Sequence, residues 1–454
     1  MFFEKCGLIV ICGEHDEKLG GKVFDGLCSL QHRGQESAGI ALFATEVQLI
    51  KQRGLVKDVF APYDNLLHYG GRIALGHVRY GHEGETDKET QPIALESPLG
   101  TIYLAYNGCI SNRDELLAYF SNTSTEKHDN ITDLECIGYT LIHDLSSGMD
   151  IISALKSLHK LVKGAFCLIV IINETVYCLR DKYGFRPLCF GRTKLGQYVF
   201  ASETCALNAV EATLVREILP GEIIVCNGTN NFYDNEFCGK APNSLCCFEY
   251  FYFADRTSVV GGNLVSKIRC DAGRVLARKA PIDCDVVIGV PNSGKDAAKG
   301  YAKELGLPYS EGFKRNKEIH RTFIVPNQKE RERLVQAKLT VIKEVVNGKE
   351  IVVVDDSIVR GTTVMHIVKL LRNAGAKRIH MRICSPKFIF DCPYGTEIGK
   401  RETLIAYNRT TEEIAEIIGV DSLGYLEPKD IDILVGADNS VCKACFDGKY
   451  PNAE

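Results

Sequence analysis

The stretch "IVVVDDSIVRGTT", residues 351–363, decides the fold expected for the second half of the chain. Its first four residues are β-branched and predict a buried strand, and the hydroxyl residues and glycine after the two aspartates predict a loop leading into a helix near Thr362. The same order of strand, loop and helix occurs in "DVVIGVPNSGKDAAKGYAKELG", residues 285–306. From about residue 265 onward, this pattern predicts an α/β domain with a parallel sheet that binds ligands at the carboxyl ends of its strands.

The residues that follow the strand are suited to a sugar phosphate. Backbone N–H groups and the positive end of the helix attract an anion, and Gly361 allows a close backbone approach. Further donors in this loop are Ser357, Arg360, Thr362 and Thr363. The carboxylates of Asp355 and Asp356 instead accept hydrogen bonds from two neighbouring sugar hydroxyls or reach a divalent metal. A ribose 5-phosphate meets both requirements, whereas two solvated aspartates at an ordinary turn are the simpler alternative.

Residues 351–363 resemble the fingerprint of type I phosphoribosyltransferases, which bind phosphoribosyl pyrophosphate (PRPP). The loop "GVPNSGKD", residues 289–296, also matches a nucleoside-triphosphate P-loop except at Asp296, where that motif needs Ser or Thr to hold Mg²⁺. A carboxylate there would repel phosphates. The resemblance implies instead that this loop binds pyrophosphate and Mg²⁺, and that the metal contacts are Ser293, Asp355 and Asp356.

A basic run, "EGFKRNKEIHRTFIVPNQKERERL", occupies residues 311–334. Such a run is ordinarily a solvated surface. In a phosphoribosyltransferase it would be a flap that closes over the pyrophosphate and excludes water from the sugar centre.

The composition limits the classes of protein to consider. A chain of 454 residues suggests two or three domains, and a net charge of -4 argues against a nucleic-acid partner. We find no run of about 18 apolar residues that would span a membrane. The start "MFFEKCGLIV" lacks the features of an export signal, so the 19 cysteines are expected to be largely reduced and the protein cytoplasmic.

The first half of the chain, up to about residue 235, reads as short strands with turn signals and a few helices, which predicts a mixed α and β domain. The segment "GGKVFDGLCSLQHRG", residues 20–34, predicts a helix whose C-terminal cap is Gly34. An Asn- and Gly-rich segment, residues 228–244, predicts a linker.

Five motifs occur in order in this half: "CGLIVI", "LQHRGQESAGIA", "GHVRY", "AYNGCISN" and "ITDLE". Together they resemble the glutaminase domain of the N-terminal-nucleophile amidotransferases, although Cys6 considered alone would be only a small buried thiol. The resemblance implies a four-layer αββα domain and removal of the propeptide Met1 to Lys5. The freed α-amine of Cys6, with a pKa of about 7.7 to 8.0, could then act as the base for a thiol of about 8.5.

The same resemblance assigns the glutamine site. Asn107 and Gly108 would form the oxyanion hole, although Asn-Gly after an apolar strand by itself predicts a hairpin turn. Arg79 would bind the α-carboxylate of glutamine, and Asp133 would bind its α-amine. His82 stands where the family usually carries a small hydroxyl residue, which puts one substrate contact in question.

Cys442 and Cys445 form a C-x-x-C pair that alone is compatible with zinc, redox chemistry or neither. With Cys246 and Cys392 they match the four positions that hold a [4Fe–4S] cluster in one branch of the glutamine PRPP amidotransferases, which also carries a short propeptide. Zinc is the main alternative, because a sequence gives the ligands and not the metal. The cluster would be structural, since the transfer reaction moves no electrons.

From Cys6 to Pro451 the chain resembles the amidophosphoribosyltransferase family. This implies the first committed step of purine biosynthesis, in which ammonia from glutamine passes to C1 of PRPP to give 5-phosphoribosylamine, with feedback by purine nucleotides and a homo-oligomer of two or four subunits. A different glutamine-dependent synthase would lack residues 351–363, and a PRPP-sensing regulator would not need Cys6. The expected segments are a propeptide (1–5), a glutaminase domain (6–235), a type I phosphoribosyltransferase domain (245–435) and a tail with the C-x-x-C pair (436–454).

Overall fold

A computed structural model describes residues 6–81, 87–121, 131–227, 232–235, 243–315, 339–396, 398–436 and 440–451. The chain divides into two compact units. The first unit comprises Met1–Cys246, Thr257–Gly261 and Pro393–Glu397, and the second comprises Cys247–Arg256, Gly262–Cys392 and Ile398–Glu454. None of the helices in the described ranges combines the length and apolar character needed to cross a membrane.

The first unit contains two antiparallel sheets. Its strands are β1 (Gly7–Asp16), β2 (Ser37–Phe43), β3 (Val47–Arg53), β4 (Gly71–Arg79), β5 (Ile93–Ser97), β6 (Gly100–Ile110), β7 (Gly164–Ile172), β8 (Thr175–Arg180), β9 (Cys189–Arg192), β10 (Tyr198–Ala201), β11 (Thr213–Glu217), β12 (Ile223–Cys226), β13 (Phe232–Asn235) and the short β14 (Leu245–Cys246) and β15 (Val259–Val260). The first sheet has the order β11-β9-β10-β1-β4-β2-β3, and the second has the order β13-β12-β8-β7-β6-β5.

The two sheets pack face to face, and helices cover both outer faces. The helices are α1 (Leu19–Leu30), α2 (Val56–Phe60), α3 (Arg113–Ser121), α4 (Asp133–Ser146), α5 (Ile151–Leu161), α6 (Thr204–Ala209) and the 3₁₀ helices Ala61–His68 and Asp87–Glu89. In β7, Cys167 and Ile169 join the core between the sheets, whereas Leu168 and Val170 join the core beneath α3, α4 and α5. Helices α1, α2 and α6 share a third core with the first sheet. The predicted four-layer αββα architecture is therefore confirmed.

The predicted helix in residues 20–34 exists as α1, and its Val23, Leu27 and Leu30 are buried together. The predicted cap at Gly34 is wrong, because the helix ends at Leu30. A Cβ at position 34 would lie 2.5 Å from the carbonyl carbon of Arg79, so this glycine permits close backbone packing instead. Within the predicted linker, Phe232–Asn235 form β13 and pair with β12.

The second unit is built around a parallel sheet of four strands in the order β17-β20-β21-β22. Its elements are the π-helix Glu249–Phe253, β16 (Asn263–Leu264), α7 (Val265–Lys279), β17 (Val286–Gly289), α8 (Gly294–Leu305), β18 (Phe313–Arg315), β19 (Leu339–Val341), α9 (Lys343–Val346), β20 (Glu350–Asp355), α10 (Thr362–Asn373), β21 (Arg378–Ile383), the 3₁₀ helix Arg401–Thr403, α11 (Thr411–Ile418), β22 (Ser422–Tyr425), α12 (Pro428–Val435), β23 (Val441–Cys442) and α13 (Ala444–Asp447).

Strand β20 lies inside this sheet, and its apolar run is buried on both faces. Ile351 and Val353 join the core beneath α10 and α11, while Val352 and Val354 are equally buried and α8 contacts the same strand. Helix α10 begins at Thr362, as the sequence predicts. The parallel sheet covered by helices is confirmed, and the residues after β20 emerge at its carboxyl end.

Candidate active sites

Cys6 stands immediately before β1 and is completely buried. The guanidinium Nε of Arg33 donates a hydrogen bond to the Cys6 carbonyl oxygen over 3.1 Å, and Arg33 Nη1 donates to Glu203 Oε1 over 2.6 Å. In the register of β1 and β4, Gly7 lies opposite Val78, which places Cys6 at the same sheet end as Arg79. The backbone of the predicted nucleophile is thus anchored by a buried charged residue.

Asn107 and Gly108 lie within β6, opposite Cys167 and Phe166 of β7, so the hairpin turn that Asn-Gly suggested is wrong. A Cβ at position 108 would lie 2.3 Å from the carbonyl oxygen of Ala165, which explains the glycine. The Asn107 amide is fully buried, and neither its oxygen nor its nitrogen has a hydrogen-bond partner among the described residues. A buried amide without a partner costs about 1–3 kcal/mol, and a site that receives an oxyanion would provide the missing acceptor.

Arg79 ends β4 and Asp133 begins α4, and both side chains are buried. The Asp133 carboxylate lies 3.4 Å from the Tyr106 hydroxyl and 3.6 Å from Arg113 Nη1. Burial raises the pKa of Asp133, although the positive charge of Arg113 opposes this shift. The arrangement leaves a largely buried carboxylate, which would attract a ligand ammonium group.

The elements that carry these residues meet within the first unit. Strand β6 contacts both β1 and β4, and His77 Nε2 of β4 lies 3.2 Å from the carbonyl oxygen of Tyr106, which precedes Asn107. The structure therefore brings the predicted residues Cys6, Arg79 and Asn107 to neighbouring strands. His82 and Met1 to Lys5 lie outside the described residues.

Sequence reasoning did not identify the residues around Glu203. His32 and Arg33 belong to the quoted motif "LQHRGQESAGIA", but nothing local connects them with a residue about 170 positions away. Burial alone would raise the pKa of Glu203, but the charges of His32 and Arg33 hold it well below its usual range. The ligand atoms of His32, Glu203 and Cys205 also lie within 4.8 Å of one another, a spacing compatible with a metal ion.

In the second unit, Asp355 ends β20 and Asp356 follows, and both side chains are buried. The Asp356 carboxylate accepts hydrogen bonds from the hydroxyls of Ser293 and Ser357, and the Asp356 N–H donates to Asp355 Oδ1 over 2.9 Å. Burial raises the pKa of both aspartates, and the charge of Asp356 adds to the effect on Asp355. Adjacent buried carboxylates favour a cation, and a set of carboxylate and hydroxyl oxygens fits Mg²⁺.

The predicted phosphate loop leads into the amino end of α10. Gly361 has a φ of 84°, and a Cβ there would lie 2.5 Å from Ile405 Cδ1, so only glycine suits the position. The side chains of Arg360, Thr362 and Thr363 are exposed, and no side chain in the described part of the chain caps the helix. Free N–H groups, hydroxyls and a guanidinium at this end suit an anionic ligand.

Asp296, which distinguishes the 289–296 loop from a P-loop, lies in the first turn of α8. Its carboxylate accepts two hydrogen bonds from the guanidinium of Arg256, at 3.0 and 2.8 Å. The carboxylate is therefore committed to an ion pair, whereas Ser293 of the same loop faces Asp356.

Three of the four predicted cluster ligands, Cys392, Cys442 and Cys445, belong to the second unit, and Cys246 belongs to the first. The hydroxyl of Tyr450 donates to the carbonyl oxygen of Asp391 over 2.7 Å. Burial raises the pKa of Tyr450, and nearby negative charge, including that of the three cysteines, adds to the effect. The three cysteines of the second unit therefore lie near the Tyr450 side chain.

Of the predicted flap, residues 311–315 are described and 316–334 lie outside the described residues. Its described end includes β18, whose Phe313 lies opposite Val341 of β19.

Comparison with known proteins defines the class. Residues 77–209 match the family model of the glutamine amidotransferase domain, and residues 270–384 match that of the phosphoribosyl transferase domain. An amidophosphoribosyltransferase of Methanocaldococcus jannaschii is 40% identical over 98% of this chain and 97% of its own. The chain belongs to the amidophosphoribosyltransferase family, which confirms the family and enzyme class that the motifs indicate.

Two solved structures agree over nearly the whole chain. A B. subtilis glutamine PRPP amidotransferase complexed with ADP and GMP has a TM-score of 0.89 at 36% identity, covering 98% of this chain and 97% of its own. A structure described as the allosteric regulatory enzyme of purine biosynthesis has a TM-score of 0.90 at 37% identity, covering 98% and 96%.

The buried His77 yields a pH prediction. Burial, followed by the charge of Arg79, lowers its pKa to about 3, whereas an unfolded histidine has a pKa of about 6.5. Below pH about 6.5 the unfolded chain binds a proton that the folded chain does not, so the free energy of unfolding falls as the pH falls towards 3. When the pH is lowered from about 7.5 to about 5, the free energy of unfolding of His77→Gln should fall by about 2 kcal/mol less than that of the wild type. Denaturant titrations that follow the first unit measure this difference.

The matched control is His68→Gln, because His68 is exposed. This variant should lose stability with acid in parallel with the wild type. Equal acid sensitivity of His77→Gln and wild type would show that folding does not lower the pKa of His77.

Proposed function

We propose that this chain converts glutamine, PRPP and water into 5-phosphoribosylamine, pyrophosphate and glutamate, the first committed step of purine nucleotide synthesis. The observation that carries the proposal is that relatives of this one activity align with 98% of the chain. The candidate residues of both halves support it, because each half holds buried polar groups that a reacting ligand would pair. The other interpretations, a PRPP-sensing regulator and a different glutamine-dependent synthase, account for only one half each.

In the glutaminase half, we propose that Cys6 becomes the first residue of the mature chain. Its thiol proton passes to its own α-amine, and the thiolate attacks the side-chain carbonyl carbon of glutamine. The Asn107 amide and the Gly108 N–H donate hydrogen bonds to the resulting oxyanion. The C–N bond breaks, ammonia leaves, and water hydrolyses the thioester to glutamate.

Arg79 and Asp133 would hold the amino-acid end of glutamine. The Arg79 guanidinium pairs with the α-carboxylate, and Asp133 accepts hydrogen bonds from the α-ammonium group. The burial of both side chains supports these roles, because charges removed from water interact strongly with a ligand.

In the phosphoribosyltransferase half, Asp355 and Asp356 would accept hydrogen bonds from the two ribose hydroxyls, and the 5-phosphate would lie in the loop with Ser357, Arg360, Gly361, Thr362 and Thr363. Ser293, Asp355 and Asp356 would hold Mg²⁺, which when bound neutralises charge on the departing pyrophosphate. Ammonia forms a bond to C1 of the sugar as the bond from C1 to the pyrophosphate oxygen breaks. We propose that ammonia passes from Cys6 to this carbon without release to solvent, where it would be protonated and diluted.

We further propose that Cys246, Cys392, Cys442 and Cys445 hold a structural [4Fe–4S] cluster. The three thiols near Tyr450 support part of this set. Zinc remains the alternative metal for the same ligands.

The remaining proposals concern organisation and control. The segments are a propeptide (1–5), a glutaminase domain (6–235), a phosphoribosyltransferase domain (245–435) and a tail (436–454). The ADP and GMP in the B. subtilis relative support feedback by purine nucleotides. We also propose a homo-oligomer of two or four subunits. We propose a cytoplasmic location.

The nucleophile is tested by glutamate release from purified protein with and without PRPP. Cys6→Ala should abolish glutamine-dependent turnover while leaving pyrophosphate release with added ammonia intact, because the second reaction needs no thiolate. Asn107→Ala should lower kcat for glutamate release about 10²- to 10³-fold through loss of one oxyanion donor.

The control for the thiol is Cys28→Ala, because Cys28 is a half-buried cysteine of α1 outside the proposed site. It should retain full activity. Undiminished glutamate release by Cys6→Ala would rule out the assigned nucleophile, and pyrophosphate release that never requires glutamine or ammonia would contradict the overall reaction.

The PRPP site is tested with ammonia as the nitrogen donor, which bypasses the glutaminase half. Asp356→Asn removes a charged acceptor and should lower kcat/KM for PRPP by about tenfold to about a hundredfold, the equivalent of one charged hydrogen bond. Asp271→Asn, on α7, is the control and should change nothing. A regulator would bind PRPP without consuming it, so binding without pyrophosphate release in the wild type would favour that alternative.

The cluster and the processing are tested together by intact mass and metal analysis. We expect a chain that begins at Cys6 and about four iron atoms per chain, with Cys442→Ser losing the iron. Stoichiometric zinc in place of iron would overturn the cluster, and a fully active chain that still carries Met1 would overturn the proposed base.

A further inference from the structure

A buried charge cluster, centred on Glu203, lies next to the predicted nucleophile. One carboxylate oxygen of Glu203 lies 2.8 Å from His32 Nε2 and 2.6 Å from Arg33 Nη1. The other accepts a hydrogen bond from the Ser258 hydroxyl over 2.7 Å. His32 Nδ1 faces the carbonyl oxygen of Ser29 over 3.0 Å, so both ring nitrogens face acceptors and an imidazolium satisfies both. Glu203 is therefore a negative centre that faces both the Arg33 guanidinium and the His32 ring.

This cluster suits an ion pair better than a metal. His32, Glu203 and Cys205 have a spacing that a metal could use. However, the Arg33 guanidinium already binds the Glu203 oxygen that faces His32, and a cation placed there would be repelled by it. The Ser258 hydroxyl binds the second oxygen. The two oxygens of the carboxylate thus face Arg33, His32 and Ser258 as hydrogen-bond partners.

The cluster reaches Cys6 by two routes. Arg33 Nε donates to the Cys6 carbonyl oxygen over 3.1 Å. Next to Glu203, the hydroxyl of Ser202 accepts from the Leu8 N–H over 2.9 Å, and the Ser202 N–H donates to the Leu8 carbonyl oxygen over 3.0 Å. The residues Ser202 and Glu203 therefore anchor both Cys6 and the second residue after it.

We propose that Glu203 is a positioning residue for the glutaminase reaction, acting through Arg33 on the backbone of Cys6. The inference rests on the proposed role of Cys6 as an amino-terminal nucleophile. After processing, the attacking thiol and the basic amine would both belong to the terminal residue of the chain, where backbones fray unless they are tied down. The Arg33 bond to the Cys6 carbonyl fixes the one peptide group that this residue retains. Glu203 fixes the guanidinium that makes the bond.

This role predicts a loss in kcat with little change in KM. Glutamine would still be held by Arg79 and Asp133. The thiolate, however, would be misaligned, and a displacement of about 1 Å can cost roughly 10²-fold in rate. Glu203→Gln should therefore lower kcat for glutamate release by about 10²-fold, with KM for glutamine changed by less than about threefold. Pyrophosphate release with added ammonia should equal that of the wild type.

Two further variants separate positioning from folding. Glu203→Gln leaves Arg33 without its buried counter-ion and can destabilise the first unit. Arg33→Met combined with Glu203→Leu replaces the buried pair by apolar side chains, which commonly restores stability. A positioning role predicts that this double variant is folded and still slow. Glu203→Asp, which keeps the charge, should recover part of kcat.

The experiment measures kcat and KM for PRPP-dependent glutamate release, thermal unfolding, and the alkylation rate of Cys6 by iodoacetamide on the amino-terminal peptide. Glu222→Gln is the matched control, because Glu222 is a buried glutamate paired with Arg216 at 2.7 Å in the same unit. It should leave kcat and Cys6 alkylation unchanged, whereas the Glu203 variants should slow both.

Full kcat in folded Glu203→Gln, or recovery of kcat in the apolar double variant, would overturn the positioning role. Zinc bound stoichiometrically by the wild type and lost in Glu203→Gln would overturn the ion-pair assignment. Failure of the wild type itself to release glutamate with PRPP would instead contradict the proposed function, so the two failures are distinguishable.

Discussion

Strands that are apolar on both faces impose the main constraint on this structure. In β1 the first six residues are fully buried, and in β20 the run from Ile351 to Asp355 is buried on both sides. Such strands offer no solvated face for a charged side chain, so charged groups are favoured where a strand begins or ends. Cys6 stands before β1, Arg79 ends β4, and Asp355 ends β20. Both halves of the chain therefore place their reactive groups by the same rule, although one sheet is antiparallel and the other parallel.

Asn107 is a polar residue inside a strand, as is His77 of β4, and its position is informative. It lies inside β6 with a fully buried amide that has no partner among the described residues, a state that folding ordinarily avoids. Asp355 and Asp356 present a related case, because two neighbouring carboxylates are buried where their charges repel. Groups that destabilise the folded chain in this way are expected where a ligand later pairs them. These two places support the proposed glutaminase and phosphoribosyl sites.

The sequence predicts what depends on neighbouring residues. Residues 351–363 predict a strand, a loop and a helix because the residues that determine each element are consecutive in the sequence. Helix α1 is predicted by the spacing of Val23, Leu27 and Leu30, which are buried. Predictions failed where a segment distant in sequence determines the local backbone conformation. Gly34 was predicted as a helix cap, but it is needed for packing against Arg79. Asn-Gly at 107 was predicted as a turn, but pairing with β7 extends the strand through it.

Ion pairs between residues distant in sequence could not be predicted either. Glu203 meets Arg33 across 170 residues, and Asp296 meets Arg256 across 40. Each partner alone resembles an ordinary surface charge, and only the fold shows that both are buried or paired. Family motifs identified the segments around Arg33 but could not say which atoms it holds. The sequence thus proposed the sites, whereas the groups that support the proposed residues required the structure.

The proposed reaction requires one reactive thiol among the 19 cysteines. Burial raises the pKa of Cys167 to about 12 and that of Cys28 to about 11, and it raises the pKa of Cys12, Cys178 and Cys189 as well. These thiols remain protonated at neutral pH and act as small apolar residues. Burial would keep the Cys6 thiol protonated and unreactive in the same way unless a base lay within reach of its sulfur. A free α-amine on the same residue meets that need without burying another charged side chain, so fixing the backbone of Cys6 becomes the requirement that the Arg33 and Glu203 pair can satisfy.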